Sequence, residues 1–188
     1  TFAFTVVDGD GDTASGSLTV TVDDDTPVAN VVVDTDEVSD DEGKGDFATL
    51  SNEGVTLPTA GSDVTGTPSQ VTGAAGALFQ VGADGFGSVS VTGPAGIQAI
   101  HDTDGDGDAQ VETVSYATAT AADGTVTLTA TGNDSGDVVF TLVINNDGSY
   151  TFTQSAALAH PTADDEDELD LTFAFTVVDG DGDTASGS

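Results

Sequence analysis

Cysteine, methionine and tryptophan are absent, and Lys44 is the sole lysine or arginine. Each absence removes a class of function. Without cysteine there are no disulfides and no thiolate metal sites, and with two histidines in separate segments, His101 and His160, a zinc site is not expected. With a single lysine and no arginine the chain cannot neutralise a run of phosphates, so nucleic acid and anionic membrane surfaces are excluded as partners. No run of about 18 apolar residues marks a membrane span, and no secretory leader is visible. No segment of useful length has helical spacing; AALAH at 156–160 could form at most one turn.

What is present is acid. The 188 residues hold 34 Asp and Glu, for a formal net charge of −33. A compact body so charged repels itself. Disorder is the simplest outcome for such a composition, but it does not fit the alternating β-branched and aromatic runs. A chain that folds despite this charge needs high salt or bound cations. A solvated, salt-adapted surface would scatter its charges, whereas these are clustered.

Residues 1–17 read TFAFTVVDGDGDTASGS, and residues 172–188 repeat them at every position. The offset, 172 − 1 = 171 residues, is the period of a tandem array. The expected division assigns residues 1–25 to the last strands and linker of a preceding unit. Residues 26–188 then form the main unit, without its own copy of LTVTV at 18–22. That leaves an open sheet edge, which residues 18–22 of the same chain or of a neighbour could fill.

Alternation of period two predicts strands over 1–7, 17–22, 28–34, 87–93, 124–132, 138–144, 149–154 and 172–178. Asn145-Asn146-Asp147-Gly148 between two of them is a hairpin turn. Residues 35–66 read as a loop-rich connection with one or two short strands. Many short strands separated by Gly and Asp turns predict an all-β antiparallel sandwich with immunoglobulin-like Greek-key connections.

The acids recur at every second position. Asp102, Asp104 and Asp106 with Gly107 match the opening of the calcium loop of EF-hands, where carboxylates at that spacing curl around one cation. Asp108 would offer a carbonyl. Thr113 holds the position of the closing carboxylate and Glu112 falls one residue early, so that ligand must come from Glu112 or from elsewhere. Asp8, Asp10 and Asp12, with their copies Asp179, Asp181 and Asp183, have the same alternation between two strands. An Asp-Gly turn without metal is one reading. Three carboxylates in five residues exceed what a turn uses, which favours metal. Asp23, Asp24 and Asp25 stand at the junction between units, and Asp34, Asp36 and Glu37 follow the strand after it. Asp164, Asp165, Glu166, Asp167, Glu168 and Asp170 form a dense run. Calcium, a hard cation with about six to eight oxygen ligands, suits such clusters. No nucleophile elbow or phosphate loop appears, and paired carboxylates lack a tryptophan-lined cleft, so no enzyme is expected.

FTVVDGDGDTASGSLTVTVDDDTPVA at 4–29, NNDGSYTFT at 145–153, and the His-Pro loop, acidic run and Phe-rich strand at 160–178 resemble the long repeats of giant RTX adhesins, type I secreted proteins of Gram-negative bacteria. The resemblance covers residues 1–34 and about 124–188. The nonapeptide G-G-x-G-x-D-x-U-x of the RTX β-roll is absent, so the likeness is to an extender repeat. It implies an immunoglobulin-like sandwich that binds calcium within and between units, folds after export and helps project an adhesive tip in biofilm-forming cells. Adjacent repeats would be its partners and the cell surface its place. It further implies that Asp23, Asp24 and Asp25 are linker-calcium ligands and that the Asp8, Asp10 and Asp12 loop and its copy lie at a unit end. A calcium-dependent glycan or surface-ligand module of the same array is the rival. Only Tyr116 and Tyr150 are available, besides Phe, as sugar-stacking residues.

Overall fold

The computed structural model describes residues 1–21, 24–32, 70–101, 110–159 and 169–188. These residues contain thirteen strands: β1 (Phe2–Val7), β2 (Thr13–Leu18), β3 (Val28–Ala29), β4 (Gln70–Gly73), β5 (Phe79–Gln80), β6 (Phe86–Thr92), β7 (Gln98–His101), β8 (Gln110–Thr120), β9 (Val126–Gly132), β10 (Val138–Ile144), β11 (Tyr150–Gln154), β12 (Ala174–Asp179) and β13 (Thr184–Gly187). Among the described residues no helix is long and apolar enough to cross a membrane.

The chain is an all-β antiparallel sandwich. One sheet has the order β4-β11-β10-β9-β8-β7 and the other the order β13-β12-β6, with β3 and β5 as a short extra pair. The order β4-β11-β10-β9 sets three hairpin-linked strands beside an earlier one reached by a long connection, a Greek-key arrangement. Period-two patterning builds the interior. In β9, Val126, Leu128 and Ala130 face inward while Thr127, Thr129 and Thr131 alternate outward. A register shift between Val138 and Phe140 lets consecutive Val139 and Phe140 both be buried. The sheets are joined by aromatic rings. Phe140 lies 5.4 Å from Phe152, 6.0 Å from Tyr116 and 5.8 Å, edge-on, from Phe173 at the entry to β12. Phe79 packs at 6.4 Å from Phe175. Fully burying a side chain of this kind contributes about 1.5–3 kcal/mol.

The expected hairpin at 138–154 forms as β10 and β11. Asn145 and Ser149 close its loop, in which Gly148 takes φ +77°, a conformation an L side chain resists. Three expectations change. Residues 19–21 form no strand, Leu18 pairs only with Phe2 of its own hairpin, and Val20 is exposed, so described residues 18–21 fill no sheet edge within this chain. The strand expected over 28–34 is confined, in its described part, to Val28–Ala29; Asn30 and Val32 instead donate single backbone bonds to Leu78 and Ser188. The possible turn at 156–160 is not helical through Ala159, and Leu158 forms a lone β-bridge with Ala99. The connection expected over 35–66 lies outside the described residues.

The two copies of the repeated segment fold alike but sit differently. β1 pairs with β2 as β12 pairs with β13. The second hairpin docks through β12 onto β6, which buries Phe175 and Val177. In the first hairpin the equivalent Phe4 and Val6 stay 54% and 57% exposed.

Candidate metal centre

The centre begins where the buried face of β12 runs out of hydrophobic residues. Phe175, Val177 and Asp179 alternate onto that face, so the last inward position of the strand is a carboxylate, 2% exposed. Its Oδ1 accepts the backbone N–H groups of Gly182 (3.0 Å) and Asp183 (2.8 Å), and the Asp179 N–H donates to the Asp183 carbonyl at 3.0 Å. Gly182, at φ +111°, completes the turn. This brings carboxylate oxygens of Asp179, Asp181 and Asp183 within 4.8 Å of one another. The second oxygen of Asp179, Oδ2, is buried without a hydrogen-bond partner. Such an atom costs stability unless something binds it.

Two other segments reach the same place. The turn between β5 and β6, Gly82-Ala83-Asp84-Gly85, carries Asp84, and the segment between β2 and β3 carries Asp24. One oxygen each of Asp24, Asp84 and Asp181 lie within 4.8 Å of one another. The neighbouring Asp25 braces the turn, its Oδ2 accepting the Ala83 N–H at 2.9 Å. Glycines permit the approach: a side chain at position 82 would meet the Asp25 carboxylate, and one at position 180 the Asp84 carbonyl. Five carboxylates from three chain segments thus converge, with Asp181 common to both groups.

Their electrostatics register the crowding. Burial raises the pKa of Asp84, and the charges of Asp24, Asp179, Asp25 and Asp183 raise it further. The hydrogen bond with Asp179, then burial and the charges of Asp179 and Asp24, push Asp181 up to about 6. Asp179 moves the other way. Burial pushes it up, but the bond from Asp181 and the amides of Asp183, Gly182 and Asp181 outweigh that and hold it below the usual carboxylate value. An all-oxygen, strongly anionic group of this kind has the chemistry to take a hard divalent cation.

The first copy of the loop is an internal comparison. Asp8 Oδ1 accepts the same two amides, from Gly11 (3.1 Å) and Asp12 (2.9 Å). Asp8, Asp10 and Asp12 also come within 4.8 Å of one another. Asp8 is exposed where its counterpart Asp179 is buried, and no acid from another segment joins Asp8, Asp10 and Asp12 in their group. The turn is encoded locally, whereas the five-carboxylate centre requires docking.

Glu112 is not a loop acid. It lies inside β8, 3% exposed, and accepts the Asp134 N–H (2.7 Å), the Ser135 N–H (3.0 Å) and the Ser135 hydroxyl (2.6 Å). Burial raises its pKa, but the Ser135 and Asp134 bonds, with the charge of His101, bring it below the usual value. Asp170 is exposed. Asp23, Asp34, Asp36, Glu37, Asp102, Asp104, Asp106, Asp108, Asp164, Asp165, Glu166, Asp167 and Glu168 lie outside the described residues. Sequence reasoning missed Asp84. Its only signal is an Asp-Gly turn before a strand, which many loops without a site share.

Residues 120–188 match a family described as a domain of unknown function (DUF5801). That span runs from the end of β8 through β13, so it includes Asp179, Asp181 and Asp183 but neither Asp24 nor Asp84. No curated protein and no solved structure matches the chain.

Proposed function

We propose that this chain is a calcium-dependent structural extender of a tandem array, of the kind that holds an adhesive tip away from a bacterial surface. The observation that carries this reading is the convergence of linker residue Asp24 with Asp84 and the Asp179–Asp183 loop. Calcium bound there would tie the segment entering the unit to two loops of the sandwich and fix the angle between neighbours. The resemblance of residues 1–34 and 124–188 to RTX adhesin repeats, and the 171-residue period, support the array; type I secretion and an extracellular, calcium-rich setting follow from the same likeness. A hard cation would also relieve the mutual repulsion of the five carboxylates, and binding the native state alone adds to stability.

The glycan-binding alternative gains nothing from the tyrosines. Tyr150 is 8% exposed, and the Tyr116 hydroxyl donates to the Pro94 carbonyl at 2.8 Å. No catalytic role is proposed. Small-angle scattering of the 188-residue chain in calcium and in chelator tests the extender reading. Calcium is expected to narrow the distribution of overall dimensions; identical profiles in the two conditions would sink it.

A further inference from the structure

A second cluster, built differently, sits on the β7–β8 pair. His101 closes β7, which pairs with β8 through His101↔Gln110 and Ala99↔Glu112. His101 and Glu112 are therefore diagonal neighbours on adjacent strands, within reach of each other on one face. The turn after β9 supplies the third member. Glu112 receives the N–H groups of Asp134 and Ser135, and this holds the turn over the carboxylate. Gly132 makes room, because a side chain there would meet the Glu112 carboxylate. A ring nitrogen of His101 and one oxygen each of Glu112 and Asp134 lie within 4.8 Å of one another.

The independent sign of a ligand is His101 itself. It is 9% exposed, and its Nδ1 is buried with no hydrogen-bond partner. Buried imidazole nitrogens are ordinarily satisfied. Nor is Glu112 used up. An ionised carboxylate has about four acceptor positions, and the three bonds from Asp134 and Ser135 leave one. We propose that His101, Glu112 and Asp134 form a binding site for a borderline divalent transition ion of the zinc class, separate from the all-oxygen centre at Asp179.

Donor chemistry separates the two sites. Calcium takes oxygen ligands, whereas imidazole suits zinc, nickel, copper and iron. One histidine with two carboxylates, and water in the remaining position, is a workable tetrahedral set, with Ser135 and the turn amides orienting Glu112 from behind. Such a set needs no cysteine, because Glu112 and Asp134, 22 residues apart in sequence, supply oxygen donors beside His101.

The test uses cobalt(II) as a visible probe for zinc. The full 188-residue chain, stripped by chelation and then held in millimolar calcium to fill oxygen-only sites, is titrated with Co²⁺. One equivalent should bind with the visible absorption bands of a low-coordinate, nitrogen-containing site, and Zn²⁺ should abolish them. His101→Gln and Asp134→Asn should each weaken binding at least about tenfold, while His160→Gln should leave it unchanged. A parallel imidazole spectrum of the unsubstituted protein covers a variant that fails to fold: Co²⁺ should broaden the His101 resonances and spare those of His160. Bands that are absent in calcium, that survive His101→Gln, or that accompany broadening of His160 alone overturn the proposal. The outcome is independent of the extender reading, since cobalt binding can succeed while calcium has no effect on shape, and the reverse.

Discussion

Neutralising one carboxylate of the Asp24–Asp84–Asp181 group should have opposite effects with and without calcium. In chelator, the folded chain disfavours the ionised form of Asp84, first by burial and then through Asp24, Asp179, Asp25 and Asp183. Asp84→Asn removes that repulsion and should raise the melting temperature. In calcium the same change deletes a ligand and should shrink the stabilisation calcium gives. The magnitude follows from linkage. At a Kd of about 10⁻⁴ M, within the range of extracellular modules, about 10 mM calcium is a hundredfold excess and adds about 2.7 kcal/mol. For a domain of this size that is a rise of about 5–11 °C. Calorimetric melts of the parent chain and Asp84→Asn, each in chelator and in calcium, give the four values needed. A lower melting temperature for Asp84→Asn in chelator, or an undiminished calcium increment, would refute the assignment. Sodium chloride at about 1 M shortens the screening length to about 3 Å; if it reproduces the whole calcium increment, screening and not coordination is responsible.

Three further outcomes can be measured. In chelator, Asp181 titrates near 6, above the ordinary carboxylate value, so the folded chain binds the extra proton. Its contribution is complete below about pH 4 and is lost as pH rises through about 6, so the melting temperature should fall between about pH 5 and 7; calcium should abolish that fall, and a rise in chelator would contradict it. Ser135→Ala deletes the 2.6 Å hydroxyl bond to buried, ionised Glu112 and should cost about 1.5–3 kcal/mol in denaturant unfolding; a change near zero would mean water replaces it. Phe175→Ala should cost about 3–5 kcal/mol, whereas Phe4→Ala, its sequence twin, should stay within about 0.5 kcal/mol, and equal losses would show that the first hairpin is buried as well.

The readable parts of the sequence were those where local chemistry and burial agree. β9 and β11 alternate between apolar and Thr positions, β10 is apolar at six of its seven positions, and the three are joined by turns whose Gly residues take positive φ. β8, at eleven residues the longest of the described strands, has no counterpart among the expected strands. Its inward positions are Glu112, Val114 and Tyr116, and a carboxylate at the head of that row hides the alternation. The loop spacing offers the same residue as one candidate for a closing ligand, whereas its burial depends on amides from the turn at 133–137 that only the fold brings near. β5 and β7 have two and four residues, too short for periodicity to register. Asp84 and Asp134 were invisible for a related reason: each is a turn residue whose partners lie far away in the chain.

The two copies of TFAFTVVDGDGDTASGS show which part of the centre a sequence can carry. Seventeen identical residues give the same hairpin and the same carboxylate capping the same two amides, at Asp8 and at Asp179. Only where the hairpin lies on β6 does the first of those carboxylates become buried and its loop meet acids from a second turn and from the segment before β3. Hydrophobic burial of Phe175 and Val177 favours docking, and the carboxylates docking gathers oppose it. On the proposed reading a cation reverses the second term without touching the first. Joining of hairpin to sheet is then conditional on calcium, although neither the hairpin nor the sheet needs calcium to form its own turns. The DGDGD string is therefore a half-site, and the other half belongs to whatever surface its hairpin is placed against.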